Sequence, residues 1–220
     1  MYRSPQPRDH SNHGAHSPPT FWWFLLAVGV FGLSDYARSF LIWLALQALG
    51  AHTSSANTPS AQTMLSLSML LYAGHNLLSG MVAYPLGWWG DRWSRRHLLV
   101  IGYALGMVSN ALLWLCGVGV ISIILVMVLS ALMLAAEETL EKAVAAQLLP
   151  VDLRSLGLGL LAAVNALGDM MSSLMLGWWL QQGQHAWAFA VATVLAACGT
   201  CLLGFLPRHF ERSSSVVPHH

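Results

Sequence analysis

Six apolar runs of bilayer-crossing length, almost free of charge and joined so that nearly all Lys and Arg fall on one side, predict an all-α integral membrane protein with six transmembrane helices. The chain has 220 residues, of which 56% are hydrophobic and 9% charged. Soluble domains carry about 25% charged residues, so lipid is the solvent this composition suits. Strands of a membrane barrel would alternate over ~10 residues, and no such alternation runs through the sequence.

The runs cover residues 21–49, 64–86, 98–116, 118–136, 156–180 and 186–206. Each supplies roughly the 20 apolar residues that cross a hydrocarbon core of ~30 Å. Residues 21–206 then form one bundle, with polar tails at 1–20 and 207–220. The first tail carries Pro5, Pro7, Pro18 and Pro19 with His10, His13 and His16, a composition that predicts a solvated, disordered segment.

The ten Lys and Arg residues orient the bundle. Arg3 and Arg8 precede the first run, and Arg92, Arg95 and Arg96 lie between the second and third. Lys142 and Arg154 lie between the fourth and fifth, and Arg208 and Arg212 follow the sixth. Only Arg38 falls inside a run. The positive-inside rule assigns these connections and both termini to the cytoplasm, as an even number of spans requires. Trp22, Trp23, Trp88, Trp89 and Trp93 near one boundary, and Trp178, Trp179 and Trp187 near the other, read as aromatic belts.

Several functions are disfavoured. A net charge of +1 offers no basic field for nucleic acid. Cys198 and Cys201 form a C-x-x-C, but within an apolar run that spacing places two small residues on one face. No metal site and no cofactor are expected.

The most specific segment lies at residues 87–96, where Gly87, Gly90, Asp91, Arg92, Arg95 and Arg96 surround Ser94. Gly87 and Gly90 would let the chain turn tightly. Asp91 would cap the start of the third helix, where an anion is favoured. A second polar segment holds Glu137, Glu138, Glu141, Lys142, Pro150, Asp152 and Arg154. Glu138 and Lys142 are spaced to pair on a helix surface, whereas Glu137 and Glu141 need partners elsewhere.

The first of these segments resembles the G-x-x-x-D-R-x-G-R-R signature of the major facilitator superfamily. Ser94 stands where that signature has its second glycine. The second segment is similar to the acidic helix and Leu-x-Pro-x-x-x-Arg connection of bacterial members. Gly32, Ser34 and Asp35 in the first run are similar to that group's seventh helix. The resemblance spans about residues 21–206. It implies one half of a twelve-helix bundle, built as two three-helix inverted repeats and corresponding to the C-terminal half. A second copy, or a partner half, would complete the pathway. It also implies that residues 87–96 gate the cytoplasmic side, and we expect the gate arginines to engage Glu137 and Glu141.

Ionisable groups at bilayer depth are costly and mark function. Asp35 and Arg38 share one face of the first helix, with Asp35 about 21 Å from its inner end at 1.5 Å per residue. Asp169 in the fifth helix lies about 20 Å in, at matched depth, with Asn165 one turn before it. His75 and Asn76 sit near the middle of the second helix. These six residues are the expected substrate and proton pathway. The alternative for Asp35 and Arg38 is a self-neutralising pair that glues helices. For His75 it is a hydrogen bond to a neighbouring helix. Two carboxylates against one arginine suit proton coupling or a cationic solute.

The leading expectation is therefore a secondary transporter of half length, moving a small solute by alternating access in a bacterial inner membrane. The runner-up is a membrane remnant or assembly partner that transports nothing by itself. No phosphate-binding G-x-x-x-x-G-K-[ST] occurs, and neither H-E-x-x-H nor G-x-S-x-G suggests an enzyme.

Overall fold

The computed structural model describes residues 19–50 and 60–206. Most of both predicted tails, and the centre of the connection between the first and second runs, lie outside the described residues. The described chain is all-α. Its elements are α1 (Pro19–Gly32), α2 (Arg38–Gly50), α3 (Ala61–Arg92), α4 (Arg95–Cys116) and α5 (Val120–Ala136). A π-helical turn (Glu137–Glu141), α6 (Lys142–Leu148), a 3-10 turn (Val151–Leu153), α7 (Arg154–Gln181) and α8 (His185–Gly204) follow.

Among the described residues, four rods are long and apolar enough to cross a membrane: Arg95–Cys116, Val120–Leu148, Val151–Gln181 and His185–Gly204. α3 has 32 residues, but His75, Asn76 and several serines dilute its apolar character. Trp22, Trp23, Trp88, Trp93, Trp178 and Trp187 stay exposed on the outside of the bundle, where an aromatic belt would meet the lipid boundary.

The first run is not one helix, contrary to the sequence expectation. It breaks between Gly32 and Arg38, so Asp35 stands in irregular backbone rather than on a helix face shared with Arg38. The break is built locally. Ser34 Oγ donates to the Phe31 carbonyl at 2.6 Å, the competition with backbone bonding that makes serine a helix breaker. The Ser34 and Asp35 amides close tight turns onto Phe31 and Gly32 at 2.8 and 3.1 Å. The freed backbone groups find side-chain partners. Ser172 Oγ donates to the Asp35 carbonyl at 2.6 Å, Ser173 Oγ accepts from the Ala37 amide at 2.9 Å, and Asn110 donates to the Ser34 carbonyl at 3.4 Å. Broken helices persist in lipid only where neighbours satisfy the backbone in this way.

α1 lies at the heart of the bundle, packed on α7 and α8, while α4 packs on α8 and α5, and α3 on α5. Missing side chains let these helices meet. A Cβ on Gly168 would come within 2.9 Å of the Gly32 backbone, and one on Gly102 within 2.4 Å of Ala136. Gly106, one turn after Gly102, packs against Met133 and Phe31, so both glycines of α4 are helix contacts. In α7, a Cβ on Gly159 would meet nothing within 4 Å, whereas one on Gly157 would press on Leu149.

The buried core divides into two apolar clusters. One is centred on Phe24, Val28, Phe31, Leu99, Tyr103 and Leu140. The other is centred on Leu44, Leu113, Ile123, Val126 and Phe189. The helix break lies between them, and there the polar side chains collect.

Candidate functional site

A cleft of about 360 Å³ opens beside the break. Its charged walls are Asp35, Arg38, Glu137, Glu138, Glu141, Lys142 and Asp169, and Asn165 joins them. Leu134, Leu158, Leu161, Ala162 and Ala166 supply apolar surface. Four stretches of chain therefore converge: the break with α2, the π turn, the first residue of α6, and the middle of α7. Asn165 stands about 16 Å along α7 from Arg154, and Tyr103 about 12 Å along α4 from Arg95.

The π turn aims its acids inward. Such turns interrupt regular helices mostly at functional positions. Glu141 is 2% exposed. Tyr103 donates its hydroxyl proton to Glu141 Oε1, and Asn165 Nδ2 donates to Glu141 Oε2 at 2.7 Å. Asn165 Nδ2 also approaches Glu137 Oε1 at 3.5 Å. Asp35 and Glu137 both line the cleft, and Glu137 Oε2 is buried with no hydrogen-bond partner among the described residues. Arg38 reaches Glu138 at 3.8 Å; both side chains are open to the cleft, which screens the pair. Asp169 is exposed, and its backbone carbonyl accepts from Ser172 Oγ at 3.0 Å.

Of the expected pathway residues, Asp35, Arg38, Asn165 and Asp169 meet here. Asp35 and Arg38 do not pair with each other: Arg38 turns to Glu138. His75 lies on the other side of the break, 7% exposed, with its Nε2 2.9 Å from Ser130 Oγ on α5. That is the interhelical bond foreseen as its alternative role. Asn76 is turned back on its own helix, donating to the Tyr72 carbonyl at 2.8 Å, and lines neither space around the break.

The expected gate needs three corrections. Gly87 and Gly90 make no turn, since α3 runs on to Arg92. They instead line its seam with the π turn, where a Cβ on Gly90 would meet Leu140 at 3.0 Å. Asp91 does not cap the next helix. Ser94 does so, accepting from the His97 amide at 3.3 Å in extended backbone that needs no glycine. Asp91 pairs with Arg95 on the surface.

The third correction concerns the acids. Glu137 and Glu141 take Asn165 and Tyr103 as partners, while Arg92 lies over the Trp88 ring, 3.6 Å from its centroid. Arg96 donates to the Gly204 carbonyl, tying α4 to the end of α8. Arg154 Nε donates to the Leu149 carbonyl at 3.4 Å, closing the Pro150 connection rather than a gate. Glu138 pairs with Arg38, and no ion pair with Lys142 forms among the described residues.

Sequence reasoning placed Glu137, Glu138 and Glu141 at a helix end because the fourth apolar run stops at 136. A usable signal was present. Leu140, Val144 and Leu148 continue the four-residue apolar spacing through the acids, so one rod runs from Val120 to Leu148. Tyr103 carried no such signal, because one tyrosine in an apolar helix looks like packing.

A family model described as the Major Facilitator Superfamily matches residues 66–218. No curated protein and no solved structure matches the chain.

Proposed function

The chain belongs to the major facilitator superfamily, and from that premise we propose that it forms one six-helix half of a proton-coupled secondary transporter that moves a small solute by alternating access. The observation that carries this is the cleft, which gathers five carboxyls around two cations, Arg38 and Lys142. Asp35 and Glu137 bring two carboxyls into this one cleft. A site of that kind exchanges a proton for a solute contact. The half-open geometry supports the remainder: Asp169 and Glu138 face outward from the cleft, where a second half closes the pathway.

In this account the six spans are α1 with α2 as one broken span, α3, α4, the rod from α5 to α6, α7 and α8. The end carrying Arg95 and Arg154 faces the cytoplasm of a bacterial cell, as the positive-inside rule assigns. The α3–α4 hairpin acts as the cytoplasmic gate through its Asp91–Arg95 pair and the Arg92–Trp88 stack. No nucleotide is required; a proton gradient supplies the driving force.

The test is flux in proteoliposomes containing a pH-sensitive dye, with a panel of neutral and cationic solutes and with a co-reconstituted second half. Solute entry coupled to a luminal pH change is the expected result. A panel in which solute moves without any proton movement removes the coupling. Correctly inserted protein that moves none of the panel refutes the transport assignment.

A further inference from the structure

On the opposite side of the helix break from the acidic cleft lies a second, smaller space of about 40 Å³. Its walls are unusually polar for the inside of a membrane bundle. Ser34, His75, Ser109 and Asn110 line it, each 2–7% exposed. Polar groups buried without partners are costly, and most of these are satisfied. Ser34 bonds Phe31, Ser109 bonds Leu105, Asn110 bonds the Ser34 carbonyl, and His75 Nε2 bonds Ser130. His75 Nδ1 is the exception: it is buried and has no hydrogen-bond partner.

A water molecule needs roughly 10–15 Å³ of such space and two to four polar partners. The chamber has volume for about three by that measure, and it has the partners. Its titratable and charged groups are few. The break contributes Asp35 and Tyr36, α2 contributes Arg38 and α3 contributes His75; α4 and α5 offer only Ser109, Asn110 and Ser130. Asp35 and Arg38 also line the cleft, so they form the wall between the two spaces. Beyond that wall lie Glu137, Glu138, Glu141, Lys142 and Asp169.

We propose that this chamber is a hydrated proton station, in which water bridges His75 Nδ1 to the Asp35 carboxyl across the helix break. His75 is then a second proton-holding group, connected to the cleft through Asp35. A proton leaves the carboxyl, passes along the water and is taken up at Nδ1, while Nε2 keeps its bond to Ser130; the reverse step returns it. No bond other than O–H and N–H forms or breaks. The proposal adds to the proton-coupled transport described above but does not need flux for its test.

The test is magnetic resonance on the full chain in lipid with ¹⁵N-labelled histidine, the His75 signals being identified by their loss in His75→Gln. Polarisation transfer from water to Nδ1 is expected. Ser109→Val and Ser109→Leu narrow the chamber and should remove that transfer while the Ser130 bond persists. In Asp35→Asn, which keeps the size of the side chain but not its basicity, exchange of the imidazole proton with water should slow at least tenfold. If His75 shows no water contact in the unmodified chain, or if its exchange is unchanged in Asp35→Asn, the proposal falls. Either outcome leaves the transport assignment to be judged by flux alone.

Discussion

Gly199→Ala tests whether the helix break is held in place by backbone contact. A Cβ at this position of α8 would lie 2.7 Å from Phe31 Cβ and 2.8 Å from the Phe31 Cα and N. Comfortable carbon contacts begin near 3.5 Å, so relief requires a movement of about 0.7 Å. The obstructing atoms are mostly main chain, and no rotamer change removes them. Phe31 is also poorly placed to yield. It is 2% exposed, stacks on Tyr103 with ring centroids 3.6 Å apart, and lies in the last turn before the break. Overpacking of this kind costs about 1–3 kcal/mol.

Alanine is the better helix former by up to about 1 kcal/mol, which opposes the steric cost. Gly159→Ala in α7 isolates that propensity, because nothing lies within 4 Å of its added methyl. The expected result is that Gly199→Ala is less stable than Gly159→Ala by about 1–3 kcal/mol. Unfolding in mixed micelles by detergent titration, followed through tryptophan fluorescence, provides the measurement. Equal stability of the two variants would show that α1 and α8 do not meet at Phe31, and the placement of the break would be wrong with it.

Other outcomes follow from the site. Asp169→Asn should abolish proton movement with solute in the dye-loaded proteoliposomes while leaving solute exchange at equal concentrations; unchanged pH coupling removes Asp169 from the pathway. Neutralising Asp91 or Arg95 singly should shift stability by less than about 1 kcal/mol, since the pair is partly exposed, yet lower flux. Exchanging the two residues should restore flux, and failure of the exchange excludes the pair from the gate. Glu141→Lys should not be rescued by a reversed charge at Arg92 or Arg95, because the partners of Glu141 are Tyr103 and Asn165; rescue in flux would restore the gate first expected. Finally, Ser94→Cys in a cysteine-free background should react with impermeant thiol reagents only from the cytoplasmic side, and labelling from outside would invert the orientation.

Much of the framework was legible because it is a matter of solvent. Runs of apolar residues mark α4, α5, α7 and α8 to within a few residues, since a helix is the one way such a run can hide its backbone from lipid. Asp35, Arg38, Asn165 and Asp169 stood out for the same reason: polar side chains at that depth are expensive and few. The break at Gly32–Arg38 was not legible as a break. Ser34 permits a break but does not by itself require one, and the partners that make irregular backbone tolerable, Ser172, Ser173 and Asn110, lie far away in sequence. The gate acids were misassigned because the apolar run ends at Ala136 while the rod does not.

What the sequence by itself determined was membership of the family, the membrane as solvent and the presence of ionisable groups within apolar runs, because hydropathy and motif spacing are carried by neighbouring residues. Which of those groups face one another was decided only by the tertiary structure. Glycine contacts at residues 32, 168 and 199 set how closely α1 approaches α7 and α8, and the π turn sets the direction of Glu137 and Glu141. The hydrogen bonds that tie the π turn to α4 and α7, and α3 to α5, depend on helix rotation and register. Those are properties of packing between distant segments, and no local pattern records them.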